Sequence, residues 1–221
     1  MKRRTLLAAG GGALVALGAG LTVTRPDPQT GLLPGAAYAQ STDGALPEVM
    51  EMVQGDPNAA VEVIEYASFT CPHCATFHAN QYQALKQNYI DTNRIKFISR
   101  EVYFDRPGLW ASMIARCKND VDFFFAFSGL LYEQQQDWLA SGDPATIIED
   151  LRRLAKTAGL DDATLDACLS DAAKAEALFT WYQENADRDA ITGTPSFIID
   201  GQKYSNMAYD EFAAILDGKL G

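Results

Sequence analysis

Cys71 and Cys74 frame the segment Cys71-Pro72-His73-Cys74, which holds two of the four cysteines in a chain of 221 residues. Cysteines at this spacing can exchange a disulfide with another protein, bind a metal ion, or lie together as structural thiols. A purely structural disulfide is disfavoured, because closing so short a loop removes little entropy from the unfolded chain. Redox exchange and metal binding are the two chemistries that remain.

A metal site is the weaker of these two interpretations. Cys71, Cys74 and His78 form a C-x2-C-x3-H set that could bind zinc or copper. The set lacks a fourth ligand, because His73 would point away from His78 and the other cysteines lie far off in the sequence. We therefore expect no metal, and we favour a redox-active cysteine pair.

The motif is predicted to lie between a strand and a helix. Residues 60–69 (AVEVIEYASF) are rich in β-branched and apolar residues, which predicts a buried strand. Residues 74–90 carry apolar side chains at helical spacing. Pro72 suits a first helical turn, where its missing N–H forfeits no hydrogen bond. Cys71 is therefore expected at the N-cap.

This position favours ionisation of Cys71. The unpaired N–H groups and the dipole of a helix N-terminus stabilise negative charge, so the pKa of the Cys71 thiol should fall. His73 would add a hydrogen-bond donor, and a cation when protonated, beside this sulfur. Cys74 lies one turn inside the helix and should be shielded, which suits a resolving thiol. A stabilised thiolate makes the protein a donor of its disulfide.

The rest of the chain predicts an α/β fold. Residues 94–104 form a second strand candidate, so residues 60–104 should be a βαβ unit with parallel strands. Only helical patterns follow from Leu109 to about Asp189. Residues 195–205 then predict a hairpin that turns at Asp200-Gly201, and an amphipathic helix closes the chain. The predicted order is βαβ, helical insertion, ββα.

Composition narrows the function classes. The net charge is −11, and 48% of the residues are hydrophobic. The apolar content is sufficient for a core. We expect that the protein does not bind nucleic acid, because such binding needs clustered lysine and arginine residues that this composition lacks.

The N-terminus has the layout of an export signal. Lys2, Arg3 and Arg4 precede an apolar run, and an A-x-A pattern ends at Ala39. The arginine pair also resembles a twin-arginine signal. We expect export to the bacterial periplasm with cleavage after Ala39, and an uncleaved membrane anchor is the alternative. Disulfides are permitted in that compartment.

The segment VIEYASFTCPHC, the helix after it, the helical insertion and the later GTPSF together resemble the DsbA-like thioredoxin-fold family of bacterial envelope thiol-disulfide oxidoreductases. The resemblance implies that Cys71 is the nucleophile and Cys74 the resolving cysteine. It implies cysteine-containing exported proteins as substrates and a membrane re-oxidase of the DsbB type as partner. No cofactor is expected besides the Cys71–Cys74 disulfide, and we expect a monomer.

The implied fold class is a thioredoxin-like α/β fold (βαβ…ββα) with an inserted all-helical subdomain. The leader is expected to contain one short helix from about Pro47 to Gln54. The expected organisation is a signal peptide (1–39), a leader (40–58), a thioredoxin-like domain (59–106 and 190–221) and a helical insertion (107–189).

Thr194-Pro195 corresponds to the cis-proline of this family. The resemblance implies that the main chain of Thr194 lies beside the active disulfide and can pair with an extended segment of the substrate. The best-known strong oxidases carry valine before this proline, and threonine occurs in several reductases and isomerases. A reductase or isomerase is therefore an alternative function. Isomerases of this fold usually carry a dimerisation module, for which residues 40–58 are too short. A redox-inactive binding or chaperone protein is a further alternative.

Glu65 lies six residues before Cys71 on an otherwise apolar strand, which is a costly place for a charge. It matches a family acid that lies under the active site and helps to move protons. Arg100 or Lys96, on the next strand, is the expected partner. The alternative is an exposed carboxylate at the end of the strand. His78 is expected to flank the site as a helix residue rather than to take part in catalysis.

Cys117 and Cys168 enclose about 50 residues within the helical block. A disulfide closing a loop of this length would stabilise the fold by roughly 4 kcal/mol, so a structural disulfide is predicted. A pair of buried free thiols is the alternative.

Overall fold

The computed structural model describes residues 45–221. The predicted signal peptide, residues 1–39, lies outside this range. Within the described part of the chain, each helix is too short or too polar to cross a membrane.

A five-stranded sheet forms the centre of the fold. Its strands are β1 (Met52–Gly55), β2 (Glu62–Ala67), β3 (Lys96–Glu101), β4 (Ser196–Ile199) and β5 (Gln202–Ser205). They lie in the order β1-β3-β2-β4-β5. β2 and β3 are parallel, and the other neighbouring pairs are antiparallel. The parallel pair confirms the predicted βαβ unit.

The connection from β2 to β3 is one continuous helical stretch, the motif helix (residues 72–90). It consists of α1 (Pro72–Phe77), a π-helical turn (His78–Tyr82), α2 (Gln83–Leu85) and a second π-helical turn (Lys86–Ile90). The insertion contains α3 (Arg106–Ala115), α4 (Val121–Glu133), α5 (Gln135–Leu139), α6 (Pro144–Thr157), α7 (Asp162–Ser170) and α8 (Ala172–Arg188). After β4 and β5 the chain closes with α9 (Tyr209–Leu220). This arrangement confirms the predicted fold class.

Aspartate caps explain where five insertion helices begin. Asp105, Asp120, Asp143, Asp161 and Asp171 each accept a hydrogen bond from the main-chain N–H three residues further on. Such caps satisfy N–H groups that have no partner within the helix. The insertion therefore takes its helix boundaries from short sequence signals.

The two faces of the sheet pack against different helices, because side chains alternate along a strand. One face carries Val63, Phe97 and Phe197, which pack with the motif helix and α9. The opposite face carries Ile64 and Ile98, which pack with α8. A separate core inside the insertion reaches the motif itself, since it includes Phe69 and Cys74. The motif thus lies where the sheet and the insertion meet.

The prediction of a helix over residues 47–54 is wrong. Residues 52–55 form β1, which pairs with the edge of β3, and Met52 is fully buried. Pairing with an existing strand outweighs the local helix preference of this segment. Gly55 ends β1 at φ +80°, and a Cβ there would lie 2.2 Å from the Ile95 carbonyl oxygen, so the position requires glycine.

The insertion is attached to the sheet by a buried ion pair. The Arg116 guanidinium donates to both carboxylate oxygens of Glu101, at 2.5 and 2.6 Å. Cys117, the next residue, forms a disulfide with Cys168 of α7, with an S–S distance of 2.04 Å. The end of α3 is therefore joined both to β3 and to α7.

Candidate functional site

The Cys71-Pro72-His73-Cys74 segment begins the motif helix. Cys71 is the N-cap, with an extended backbone (φ −83°, ψ 119°), and Pro72 occupies the first turn. Cys71 is half-buried, and Cys74 is fully buried in the insertion core. The His73 side chain is exposed. The structure thus presents one sulfur at the surface and hides the other.

The environment of Cys71 favours its thiolate. Hydrogen bonding from the Cys74 thiol is the largest influence and lowers the pKa of Cys71 to about 5. The Thr194 side chain and the main-chain N–H groups of Cys74 and His73 act in the same direction, while burial opposes them. The lowered pKa agrees with the expectation from the sequence, but its leading cause differs. His73 contributes through its main-chain N–H.

Cys74 has the opposite environment. Burial raises the pKa of its thiol well above the ordinary value, and the hydrogen bond with Cys71 and the charge of Glu65 raise it further. At neutral pH Cys74 is therefore protonated while Cys71 is ionised. A pair with this asymmetry has one nucleophile and one shielded thiol.

The loop before β4 completes the surroundings of Cys71. The Thr194-Pro195 peptide bond is cis. The Cys71 Sγ lies 3.4 Å from the Thr194 carbonyl oxygen, to which it donates a hydrogen bond when it is protonated. The buried Thr194 hydroxyl has no hydrogen-bond partner among the described residues. These contacts bring the two distant motifs of the sequence together.

Glu65 is fully buried, so the alternative of an exposed carboxylate is wrong. Its partner is His78 of the motif helix, whose Nε2 lies 3.0 Å from one carboxylate oxygen and 3.1 Å from the other. The expectation that His78 merely flanks the site is incomplete, because its ring is the contact that satisfies the buried acid.

Arg100 and Lys96 do not pair with Glu65, in contrast to the prediction. Arg100 binds Glu51 at 2.8 Å and also contacts Asp189 and the Tyr66 hydroxyl. Lys96 binds Glu62 at 2.8 Å. The reason is the strand register, which pairs Glu65 with Ser99 and Tyr66 with Arg100. Arg100 therefore points to the opposite face of the sheet from Glu65.

Gln135 of α5 is a site residue that sequence reasoning missed. Its buried side-chain amide donates to the carbonyl oxygens of Phe69, at 2.8 Å, and Cys71, at 3.0 Å. These bonds hold the turn that leads from β2 into the motif helix. Gln135 is the second of three consecutive glutamines, a run that gives no signal for such a role.

A cleft of about 800 Å³ lies between the motif helix and the helices α4 and α5. His78 contributes to its wall, together with Thr76, Ser128 and Tyr132. Among residues 45–221, no three histidine, cysteine, aspartate or glutamate side chains are grouped closely enough to hold a metal ion.

Comparison with known proteins finds relatives that are named for thioredoxin or for disulfide exchange. The family model for thioredoxin matches residues 48–218. A Rickettsia bellii protein whose name proposes a protein-disulfide oxidoreductase is 34% identical over 167 residues, covering 76% of this chain and 63% of the relative. In the crystal structure of Wolbachia pipientis α-DsbA1, the matched chain is 26% identical to this one in sequence, with a TM-score of 0.72. The match covers 79% of this chain and 93% of the Wolbachia chain.

A protein-disulfide isomerase from Novosphingobium aromaticivorans is 25% identical, with a TM-score of 0.70, and the match covers 77% of this chain and 97% of that structure. The chain spans less than two thirds of the length of the Rickettsia relative.

Proposed function

Because the chain belongs to the DsbA-like thioredoxin-fold family, we propose that it is a thiol-disulfide oxidoreductase that donates its Cys71–Cys74 disulfide to exported bacterial proteins. The observation that carries this proposal is the asymmetry of the two thiols. The pKa of Cys71 is lowered to about 5, and burial raises that of Cys74. This difference sets both the order of attack and the direction of exchange.

The reaction proceeds in two exchanges. A substrate thiolate attacks the Cys71 Sγ of the oxidised protein, a mixed disulfide forms, and the electron pair of the broken bond goes to Cys74. Cys74 takes up a proton, since its thiolate is unstable in the buried site. The second substrate thiolate then attacks its own half of the mixed disulfide and releases Cys71 as a thiolate. The substrate loses two electrons, and the Cys71–Cys74 pair gains them.

The lowered pKa drives this direction. At pH 7 a thiol with the ordinary pKa of 9.0 is about 1% ionised, whereas a thiol with a pKa of about 5 is almost fully ionised. The reduced form gains up to about 100-fold in the exchange equilibrium, or about 60 mV in potential. Solvent screening of the half-buried sulfur makes these figures upper values.

The same proposal specifies the substrates, the compartment and the re-oxidising partner. Substrates would be cysteine-containing proteins in the periplasm, reached through the export signal at the N-terminus. The reduced Cys71–Cys74 pair would pass its electrons to a membrane re-oxidase of the DsbB type. The protein would act as a monomer, with its own disulfide in place of an organic cofactor. Thr194 would offer its main chain to an extended substrate segment beside Cys71.

An isomerase or reductase is the second candidate. Two observations favour it: threonine rather than valine precedes the cis-proline, and the Novosphingobium relative is named a protein-disulfide isomerase. Such a protein would work from the reduced form, with the Cys71 thiolate attacking disulfides of the substrate. The low pKa of Cys71 favours the donor over this candidate, because it stabilises the reduced product of donation.

Refolding of ribonuclease tests the proposal. The oxidised protein should speed disulfide formation in reduced, unfolded ribonuclease, and Cys71→Ser should abolish this activity. Cys74→Ser should trap mixed disulfides, which mass spectrometry detects. The double variant Cys117→Ala with Cys168→Ala is the control, because it removes cysteines away from the motif. Rescue of scrambled ribonuclease by the reduced protein, without oxidation of the reduced substrate, would instead establish the isomerase.

A further inference from the structure

One of the two exchanges in each reaction moves a proton at a sulfur that solvent does not reach. Cys74 is fully buried, so a proton that enters or leaves its thiol has no direct route to water. Cys74 must gain a proton when the Cys71–Cys74 bond breaks and lose it when the bond forms. The structure must therefore provide a path for that proton.

Glu65 is placed to exchange a proton with Cys74. The carboxylate lies on the sheet face beneath the motif helix and is fully buried. It is near enough that its charge raises the pKa of Cys74. No hydrogen bond joins the two groups among the described residues, so the last transfer needs a bridging water or a rotation of the carboxylate. Being buried itself, Glu65 also needs a connection to solvent.

His78 supplies that connection. Its Nε2 contacts both oxygens of Glu65, at 3.0 and 3.1 Å, and its ring lies in the wall of the 800 Å³ cleft. The ring stacks on Tyr132 with centroids 4.1 Å apart and lies against Tyr82 at 4.5 Å. The two tyrosines hold the ring in one plane, with one edge at the buried acid.

We propose that His78 is the solvent end of the proton path to Cys74, and that it passes protons between the cleft and the Glu65 carboxylate. This inference rests on the proposed function, because it concerns the proton of the same exchange. In the direction that forms the Cys71–Cys74 bond, the Cys74 proton goes to Glu65, then through His78 to the cleft. The Cys74 thiolate attacks the Cys71 Sγ, and the sulfur of the former partner leaves with the electron pair.

The other groups around His78 do not compete for the proton. Burial raises the pKa of Tyr82, and it raises that of Tyr132 well above the ordinary value, so both hydroxyls stay neutral. Glu133 and Asp137 are exposed carboxylates along the cleft, and neither lysine nor arginine is among its described lining residues.

A two-step reaction of the reduced protein separates the proton-dependent step from the other. An aromatic disulfide reagent that releases a coloured thiolate is attacked first by Cys71, and the resulting mixed disulfide is then resolved by Cys74. The first release needs no proton transfer from Cys74, and the second release does. Stopped-flow absorbance therefore measures both steps in one trace, across the neutral pH range.

The key variant is His78→Gln, because its amide can still donate to Glu65 but cannot carry a proton onward. We expect the second release to slow by about 100-fold, the size of a lost acid–base contribution, with the first release unchanged. Glu65→Gln should slow the same step, and the double variant should be no slower than Glu65→Gln alone, because the two groups act in series. His78→Ala opens space beside the cleft, so added imidazole should restore the second release. Ser128→Ala, which changes the opposite wall of the cleft, is the control and should react like the wild type.

A wild-type second release in His78→Gln would overturn the inference and leave His78 a structural partner of Glu65. Additive losses in the double variant, or no response of His78→Ala to imidazole, would also overturn it. Failure of the proposed function looks different, because the wild type itself would then release the coloured thiolate only once or not at all.

Discussion

Raising the pH from about 6 to about 8 should lower the reduction potential of the Cys71–Cys74 pair by only about 60 mV. A two-electron couple loses about 30 mV per pH unit for each proton that it takes up on reduction. Cys71, with a pKa of about 5, takes up no proton in this range. Cys74, whose pKa is raised by burial, takes up one. A pair of ordinary thiols would take up two protons and lose about 120 mV.

The direction in which pH changes the stability of the reduced protein follows from the linkage between proton binding and free energy. A pKa lowered from 9.0 to about 5 stabilises the reduced protein relative to the oxidised protein. This stabilisation is complete above pH 9.0, falls as the pH drops, and is lost once the pH passes through about 5. The dependence of the potential on pH should therefore steepen towards about 60 mV per unit below pH 5, where Cys71 also takes up a proton.

The assay is equilibration with glutathione buffers at several pH values, followed by alkylation and mass spectrometry. Peptide mapping reads the Cys71–Cys74 pair separately from the Cys117–Cys168 disulfide. A fall near 120 mV between pH 6 and 8 would show that both thiols are protonated in the reduced protein, and it would refute the proposed asymmetry.

Three further changes have definite expected results. Thr194→Val removes a buried hydroxyl that lowers the pKa of Cys71, so this pKa should rise by about one unit, measured by the pH dependence of Cys71 alkylation. Gln135→Ala leaves two carbonyl oxygens without their donor and should lower the free energy of unfolding by about 2–4 kcal/mol in urea. Cys117→Ala with Cys168→Ala opens a loop with a sequence separation of 51 and should cost about 4 kcal/mol in the same experiment, without loss of ribonuclease oxidation.

Local signals in the sequence were sufficient for the motif and for much of the fold. Pro72 after Cys71, and Pro144 after Asp143, mark helix starts that depend only on neighbouring residues. The turn at Asp200-Gly201 has positive φ at both residues, +45° and +78°, as the predicted hairpin requires. Such features can be predicted because the interacting groups lie within a few residues of each other.

Features that depend on distant pairing could not be predicted in the same way. The partner of Glu65 depends on the register of two parallel strands, and a shift by one residue would place Arg100 on the other face of the sheet. β1 forms because it pairs with the edge of β3. The residues in and around β1 do not encode this distant partner. Gln135 reaches the carbonyl oxygen of Cys71 across 64 residues, and only the docking of the insertion on the sheet brings them together.

Ultraviolet absorbance of the reduced protein, followed as a function of pH, tests the central claim most directly, because a thiolate absorbs where a thiol does not. The account predicts that one thiolate appears with a midpoint near pH 5, and that Cys71→Ser removes this transition. A first midpoint near the ordinary value of 9.0 would contradict the account, since Cys71 would then have no stabilised thiolate to drive the donation of the disulfide.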